Sequence, residues 1–347
     1  MRVVIVNAQT PFVRGGAEML ADNLLATLKE AGHEAELVTM PFKWYPAERI
    51  CDGMLAARLL EVDEWCGGRI DRLIGLKFPA YLMRHPCKVM WLLHQYRGAY
   101  DLWGSPIGDL SNAPAGRAVR DMIHLADAAA MAESRAVYTI SRNVTDRLRR
   151  FNGIDSMPLY HPPPGAELFR QAEAEDFFLC PGRINPTKRQ GLVVDALLRC
   201  RSGARVVFTG VPDSPAYAAD LARRSETSLG ERVTWRGAVT EAEKLDLYAR
   251  CLGVIVTPID EDYGYVTLEA MLSAKPVLTC SDSGGPLDFV EDSATGFVCA
   301  PDASAVADGL DRLWQDRRRA RDMGQAGLAR YRALGFSWAD VVSGLLA

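Results

Sequence analysis

The stretch VIVTPIDEDYGYVTLEAMLSAKPVLT, residues 254–279, contains in order an apolar run, an acidic loop, a helix-like run and a second apolar run. We expect strands at 254–257 and 277–279 and a helix at 267–273. Short continuous apolar runs are typical of strands that are covered on both faces, as in a parallel sheet. The stretch is therefore one strand–helix–strand unit, and its acidic loop follows the carboxyl end of a strand.

The same alternation continues in both directions along the chain. Further strands are expected at 3–6, 35–39, 72–76, 89–93, 137–140, 177–180, 206–209 and 232–235. The run His161-Pro162-Pro163-Pro164-Gly165 cannot continue a helix or a central strand, so we place a linker there. We predict an α/β protein with two Rossmann-like, doubly wound domains, residues 1–165 and 166–330, that face each other across a cleft.

Composition excludes several classes of protein. The 347 residues exceed the usual size of one hydrophobic core, and the formal net charge of -4 gives no reason to expect nucleic acid as a partner. The eight cysteines form no Cys-x-x-Cys pair, which suits a reducing cytosol. No signal peptide or bilayer-spanning run stands out, so we expect a cytoplasmic protein.

A pair of glycines, Gly15 and Gly16, stands at the predicted start of the first helix. Glycine lets backbone N–H groups approach an anion closely, and a helix N-terminus favours negative charge. A tight turn that needs a positive φ explains the pair equally well. Both interpretations are open from the sequence alone.

Two cations, Arg183 and Lys188, follow the predicted strand 177–180 around the start of a helix. A guanidinium can fork across phosphate oxygens, while an ammonium adds a compact charge. The alternative is a solvated loop with ordinary surface cations. The position after a strand and beside Gly182 favours a phosphate site.

Two acids, Glu261 and Glu269, form the pattern Glu-x7-Glu. Helical side chains tilt toward the helix N-terminus, so Glu269 could accept hydrogen bonds from two vicinal hydroxyls, as on a ribose. Alternatively it only complements the helix dipole. Glu261 could bind sugar hydroxyls. Asp260-Glu261-Asp262 also matches a metal-binding Asp-x-Asp pattern, but we predict no metal because Arg183 and Lys188 supply the positive charge.

One histidine, His94, follows the predicted strand 89–93. A histidine at the carboxyl end of a strand can act on a substrate, although a lone histidine is more often structural. Its role is therefore open without further information.

Together these motifs resemble the retaining glycosyltransferases of family 4, which have the GT-B fold, over nearly the whole chain. The matching motifs are the glycine loop Gly15-Gly16-Ala17-Glu18, the cation pair Arg183 and Lys188, the Glu-x7-Glu pattern, and His94 as the catalytic-loop histidine. Two positions depart from the family: Gln95 stands where an Asp is common, and Asp288 where a Glu is typical. Residues 331–347 are similar to the family's C-terminal helix, which returns toward the first domain.

The resemblance implies a nucleoside-diphosphate sugar, linked to UDP or GDP, as the donor. Arg183 and Lys188 would neutralise the diphosphate leaving group. Glu269 would hold the ribose, Glu261 the donor sugar, and His94 would lie near the reacting carbon. The remaining donor contacts would come from Gly15, Gly16, Arg236, Gly237, Gly264, Tyr265, Val266 and Thr267. Anomeric configuration would be retained, without a metal or other cofactor.

The resemblance also implies a glycan, lipid-linked or small-molecule acceptor, as in bacterial polysaccharide or glycoconjugate synthesis. The aromatic and basic stretches 41–46 and 147–151 could contact anionic lipid weakly at the inner face of a membrane, but we favour a solvated surface. Two other functions are open: a nucleotide-sugar 2-epimerase of GT-B fold, and a non-catalytic nucleotide-sugar-binding module.

Overall fold

The computed structural model describes residues 1–347, and the chain forms two compact units. The first unit consists of Met1–Pro164 and Ser337–Ala347, and the second of Gly165–Phe336. The predicted boundary at residue 330 lies inside a helix that ends at Leu334, so the second unit continues to Phe336. None of the helices combines the length and apolar character that a bilayer-crossing segment needs.

Fourteen strands and twelve α-helices make up the two units. The strands are β1 (Arg2–Gln9), β2 (Glu34–Pro41), β3 (Glu64–Trp65), β4 (Gly68–Arg69), β5 (Arg72–Gly75), β6 (Lys88–Leu92), β7 (Ala136–Thr139), β8 (Met157–Pro158), β9 (Phe178–Pro181), β10 (Val206–Thr209), β11 (Val233–Trp235), β12 (Gly253–Val256), β13 (Val277–Cys280) and β14 (Gly296–Cys299). The helices are α1 (Gly16–Glu30), α2 (Glu48–Leu59), α3 (Gly116–Ala132), α4 (Arg142–Asn152), α5 (Gln190–Leu197), α6 (Pro215–Leu229), α7 (Glu241–Arg250), α8 (Tyr265–Leu272), α9 (Pro286–Phe289), α10 (Ala303–Gln315), α11 (Arg317–Leu334) and α12 (Trp338–Leu346).

The first unit is built on a six-stranded parallel sheet in the order β2-β1-β5-β6-β7-β8. Its central strands are buried along most of their length, as their continuous apolar runs predict. The short hairpin β3–β4 forms a separate antiparallel pair. The predicted strands of this half are confirmed.

The last helix, α12, belongs to the first unit. The guanidinium of the buried Arg72 donates to the backbone carbonyls of Leu345, Leu346 and Ala347 at 3.0–3.1 Å, which satisfies acceptors that a helix end leaves open. At the other end of the helix, the Trp338 ring packs edge-on against Trp91 with 6.0 Å between centroids. The C-terminal segment is therefore part of this unit's core.

The second unit is built on a six-stranded parallel sheet in the order β11-β10-β9-β12-β13-β14. Numbered within the unit this is 3-2-1-4-5-6, the order of a doubly wound Rossmann sheet. The predicted α/β class with two such sheets is confirmed. The chain winds to one side from β9 and to the other from β12, so the direction reverses between these two neighbouring strands.

All eight cysteines are free thiols. Cys180, Cys280 and Cys299 belong to the hydrophobic core of the second unit. Burial raises the pKa of Cys180 and Cys280 to about 12, so both stay protonated at neutral pH. These three act as small core residues, whereas Cys66 is exposed and Cys51, Cys87 and Cys200 are partly buried.

Candidate active site

The candidate site of the second unit lies at the carboxyl ends of β9 and β12, where the winding reverses. These strands are paired, with Leu179 opposite Val254. Ligands of open α/β sheets bind at this position, because the loops on its two sides diverge and leave a crevice. Arg183 and Lys188 follow β9, whereas Glu261 and Glu269 follow β12, so the sheet order brings these four residues to one edge of the sheet.

The loop after β9 is shaped by an asparagine cap. Asn185 accepts hydrogen bonds from the backbone N–H of Lys188 at 3.0 Å and from the Thr187 hydroxyl at 2.8 Å, and Pro186 opens the single helical turn that follows. This turn directs the Lys188 ammonium to Glu261, whose Oε2 lies 2.5 Å from Nζ. The structure thus joins two predicted site residues from different loops.

Arg183 is turned toward the loop after β10. Its Nη1 lies 3.3 Å from both carboxylate oxygens of Asp213, and Asn185 donates to the same carboxylate at 2.8 Å. About half of the Arg183 side chain is exposed. Sequence reasoning missed Asp213, because nothing in the local pattern shows which acid will meet a guanidinium from another loop.

Glu269 lies in the second turn of α8 and is almost fully buried. Its Oε2 accepts a hydrogen bond from the Tyr248 hydroxyl at 2.6 Å, and its Oε1 accepts one from the Lys244 ammonium at 3.4 Å. A carboxylate has about four acceptor positions, so each oxygen retains one for a further donor. The carboxylate can therefore hold two more hydroxyls side by side.

The partners of Glu269 come from one face of α7, and sequence reasoning missed them. Burial and the neighbouring carboxylate raise the pKa of Tyr248 far above its ordinary value, so its hydroxyl remains a donor. Burial alone would lower the pKa of Lys244, but Glu269 and Glu241 outweigh it and the net shift is upward. Lys244 and Tyr248 are four residues apart on a predicted helix, and this spacing could have shown that they share one face.

The start of α8 depends on two glycines. Gly264 has a φ of 91°, a conformation that favours glycine, and directly precedes Tyr265, Val266 and Thr267. A Cβ on Gly285 would lie 2.5 Å from the carbonyl oxygen of Tyr263, so no side chain fits there. The Thr267 N–H donates to Gly264 O at 2.9 Å. The dipole of the helix makes this end partly positive, which favours an anion beside it.

The loops after β9, β10 and β11 approach each other through their backbones. Gly210 has a φ of 126° and donates to the carbonyl of Gly237 at 2.7 Å, and a Cβ on it would meet Gly182 O at 2.1 Å. The N–H of Arg236 donates to Phe208 O of β10. Arg236 and Gly237 thus lie at the same carboxyl edge as the β9 loop.

The remaining predicted site residues belong to the first unit. Gly15 is extended, with a φ of -153°, and a Cβ on it would meet only Glu18 Oε2 at an ordinary 3.7 Å. The tight-turn interpretation is therefore wrong for Gly15. Its N–H donates to the Glu18 carboxylate at 2.8 Å, and Gly16 begins α1. Glu18 also lies 3.8 Å from the Lys77 ammonium.

His94 follows β6, and its Nδ1 donates to the carbonyl of Gln95 at 2.6 Å. From Gln95 a hydrogen-bonded chain leads into the core. The Gln95 amide donates to Asn152 at 2.7 Å, Asn152 donates to the Tyr100 hydroxyl at 3.3 Å, and Tyr100 donates to the buried carboxylate of Asp127 at 2.7 Å. Sequence reasoning missed this chain, whose members are far apart in sequence.

Asp127→Asn is expected to flatten the dependence of the melting temperature on pH. Burial raises the pKa of Asp127 from 3.8 to about 7, although hydrogen bonds from Tyr100 and Tyr81 lower it. The folded chain then keeps a proton that the unfolded chain releases. The stability from this group is full below its ordinary pKa and is lost as the pH rises through about 7.

Thermal melts between about pH 5 and about pH 8 will measure this. As the pH rises over this range, the melting temperature of the unaltered chain should fall further than that of Asp127→Asn. Asp121→Asn, at an exposed position of the same helix, is the control. Parallel curves for the unaltered chain and Asp127→Asn would contradict the shifted pKa.

No group of three or more His, Cys, Asp or Glu side chains in the chain is arranged to hold a metal ion. Asp260 and Asp262, which form the Asp-x-Asp pattern, belong to no such group. Asp260 instead adopts a positive φ of 46° in the loop that leads to Glu261.

Comparison with solved structures defines the class of fold. Sucrose-phosphate synthase from Thermosynechococcus elongatus matches 99% of the chain and 97% of its own length, with a TM-score of 0.78 and 16% identity. HepE from Anabaena, in complex with UDP and glucose, matches 99% of the chain and 98% of its own length, with a TM-score of 0.71 and 17% identity. The chain has the GT-B glycosyltransferase fold.

Sequence comparison matches the second unit to a known family. Residues 167–330 match the family "Glycosyl transferases group 1". A D-inositol 3-phosphate glycosyltransferase from Nocardia farcinica is 34% identical over 53% of this chain and 45% of its own length. Human alpha-1,3/1,6-mannosyltransferase ALG2 is 35% identical over 30% of this chain and 25% of its own length. The chain spans less than half the length of these relatives.

Proposed function

We propose that this protein is a retaining glycosyltransferase of family 4 that moves a sugar from a UDP- or GDP-linked donor to an acceptor. The observation that carries the proposal is the Lys188–Glu261 pair at the winding reversal, with Glu269 one helix turn into α8. An ammonium is suited to bind phosphate, and the two carboxylates are suited to accept hydrogen bonds from hydroxyls. The family match over 167–330 supports the same reaction.

Each donor group has a matching partner in the second unit. Glu269, held by two donors from α7, has acceptor positions left for the two ribose hydroxyls. Lys188, Arg183 and the first amides of α8 supply positive charge for the diphosphate. Glu261 would bind sugar hydroxyls, and the backbone at 236–237 would border the base.

Bond cleavage needs charge stabilisation more than covalent chemistry. As the bond between sugar and diphosphate breaks, negative charge grows on the leaving oxygen, and preorganised cations stabilise it. We propose that the acceptor hydroxyl attacks from the same face and gives its proton to the leaving phosphate. This retains configuration and uses no metal. From the first unit, His94 would contact the donor sugar, and amides near Gly15 and Gly16 the diphosphate.

The names of the relatives suggest the class of acceptor. They include a mannosyltransferase of O-antigen chains from Escherichia coli, which is 22% identical over 52% of this chain. We propose a glycan, lipid-linked or small hydroxylated acceptor in glycoconjugate synthesis. The protein would act in the cytoplasm or at the inner face of the membrane.

The proposal is tested by melting the chain with UDP, GDP and their glucose and mannose conjugates. A true donor nucleotide binds the folded form and raises the melting temperature in proportion to log concentration. Slow release of free sugar from the donor, persisting in EDTA, is the expected basal activity. An epimerised donor would instead support the 2-epimerase, and binding without sugar release the non-catalytic module. No response to any nucleotide contradicts all three functions.

A further inference from the structure

Arg189, which follows Lys188 directly, has a backbone conformation that is unusual for its type. Its φ of 56° and ψ of 37° lie in the left-handed region, where a side chain is strained and glycine is preferred. Strained residues persist where the surrounding structure holds them, and they concentrate at functional sites. The contacts that hold Arg189 are therefore informative.

The Arg189 guanidinium is held by four hydrogen bonds and is largely shielded from solvent. Its Nε donates to Thr257 O at 2.6 Å and its Nη2 to Pro258 O at 2.7 Å. Nη1 and Nη2 donate to the two carboxylate oxygens of Asp282 at 2.9 and 2.6 Å. One side chain thus links the loops that follow β9, β12 and β13.

The β12 loop that Arg189 holds is the one that carries Glu261. This loop is also fixed by backbone bonds on both sides, from Ile259 N to Thr187 O at 2.7 Å and from Glu261 N to Ser283 O at 2.9 Å. Arg189 connects the same two loops, because its guanidinium donates both to carbonyls of the β12 loop and to the carboxylate of Asp282. Without its guanidinium, the carbonyls of Thr257 and Pro258 lose their charged donor.

We propose that Arg189 is a positioning residue that holds Lys188 and Glu261 in the relative orientation that binds the donor. The inference rests on the proposed function, because it takes these two side chains to be the donor's partners. The left-handed backbone of Arg189 sets the orientation of the Lys188 ammonium. Its planar guanidinium fixes the β12 loop, which carries the Glu261 carboxylate. A lysine cannot replace it, because an ammonium lacks the rigid set of donors that reaches two carbonyls and a carboxylate at once.

The test compares Arg189→Gly with Arg189→Lys and with the control Arg223→Ala. Glycine relieves the backbone strain while it removes the guanidinium, and Arg223 makes an exposed ion pair on α6. We expect Arg189→Gly and Arg189→Lys to weaken binding of the stabilising nucleotide, UDP or GDP, by about tenfold or more in calorimetry. Arg223→Ala should bind as the unaltered chain does.

A double-mutant cycle separates positioning from a general structural role. If Arg189 acts through Lys188, then Arg189→Gly should cost little further affinity in a Lys188→Ala background. Equal losses in both backgrounds would overturn the proposal, as would unchanged affinity in Arg189→Gly.

Hydrogen exchange tests the same proposal without a nucleotide. Arg189→Gly should speed exchange at Ile259 and Glu261, whereas Arg223→Ala should not. Unchanged exchange at both amides would overturn the proposal. If the unaltered chain binds no nucleotide, the proposed function fails, and exchange still decides whether Arg189 fixes this loop.

Discussion

Lys188→Ala is expected to lower the turnover number for sugar transfer about 100- to 1,000-fold, the usual cost of removing one preorganised group that stabilises developing charge. The ammonium has a defined orientation, since Asn185 caps the turn that carries it and Glu261 accepts its hydrogen bond. The same variant removes a cation beside Glu261, so the donor sugar should also be held less well. Steady-state kinetics with a saturating donor will measure the loss.

The fold should survive this change, because the Lys188 side chain is partly exposed. We expect a melting temperature within about 2 °C of the unaltered chain. Lys244→Ala is not a suitable control, since it removes a partner of Glu269, so Arg223→Ala serves here. Arg183→Ala should lower the turnover number for sugar transfer as well. Unchanged turnover in either Lys188→Ala or Arg183→Ala would contradict the assignment of these cations to the diphosphate.

Glu269→Gln is expected to weaken nucleoside-diphosphate binding between tenfold and a few hundredfold, as the loss of hydrogen bonds to a charged acceptor implies. The amide keeps one acceptor oxygen for Tyr248 or Lys244 but removes the negative charge and turns the other atom into a donor. Two ribose hydroxyls can then no longer both donate. Isothermal calorimetry with UDP and GDP will measure the change.

The glutamine variant is preferable to alanine because Glu269 also supports the fold. Alanine would leave the buried Tyr248 hydroxyl and the Lys244 ammonium without their carboxylate, and a loss of stability would be mixed with the loss of binding. Glu226→Gln, on the exposed face of α6, is the control. Affinity equal to that of the unaltered chain in Glu269→Gln would exclude the ribose role.

The sheets could be predicted from the sequence because their strands are covered on both faces. A short continuous apolar run such as Val254–Val256, with Gly before it and Pro soon after it, indicates a buried strand. For helix α4 only the end at 147–151 was predicted and not the start, since the helix is rich in arginine and only Val144, Arg147 and Leu148 are buried. The long α11 begins with a run of arginines. Three of its four buried residues are alanine or glycine, so its apolar face is hard to recognise in the sequence.

The positions of the candidate site residues could also be predicted, but their partners could not. A motif places a side chain at a strand end, whereas its partner depends on which loops the sheet order brings together. Asp213 meets Arg183 because β10 lies beside β9, and Tyr248 meets Glu269 because α7 lies beside α8. Such pairs are long-range in sequence and have no local pattern.

Lys188 and Arg183 are each matched by a carboxylate of the chain itself, Glu261 and Asp213. A simple anion such as chloride would have to displace these acids and has no hydroxyl to donate to them in return. A sugar nucleotide brings phosphate oxygens for the cations together with hydroxyls for the displaced acids. The proposed site would thus select a molecule that carries both phosphate oxygens and hydroxyls. It would bind the more abundant simple anions, which carry no hydroxyl, only weakly.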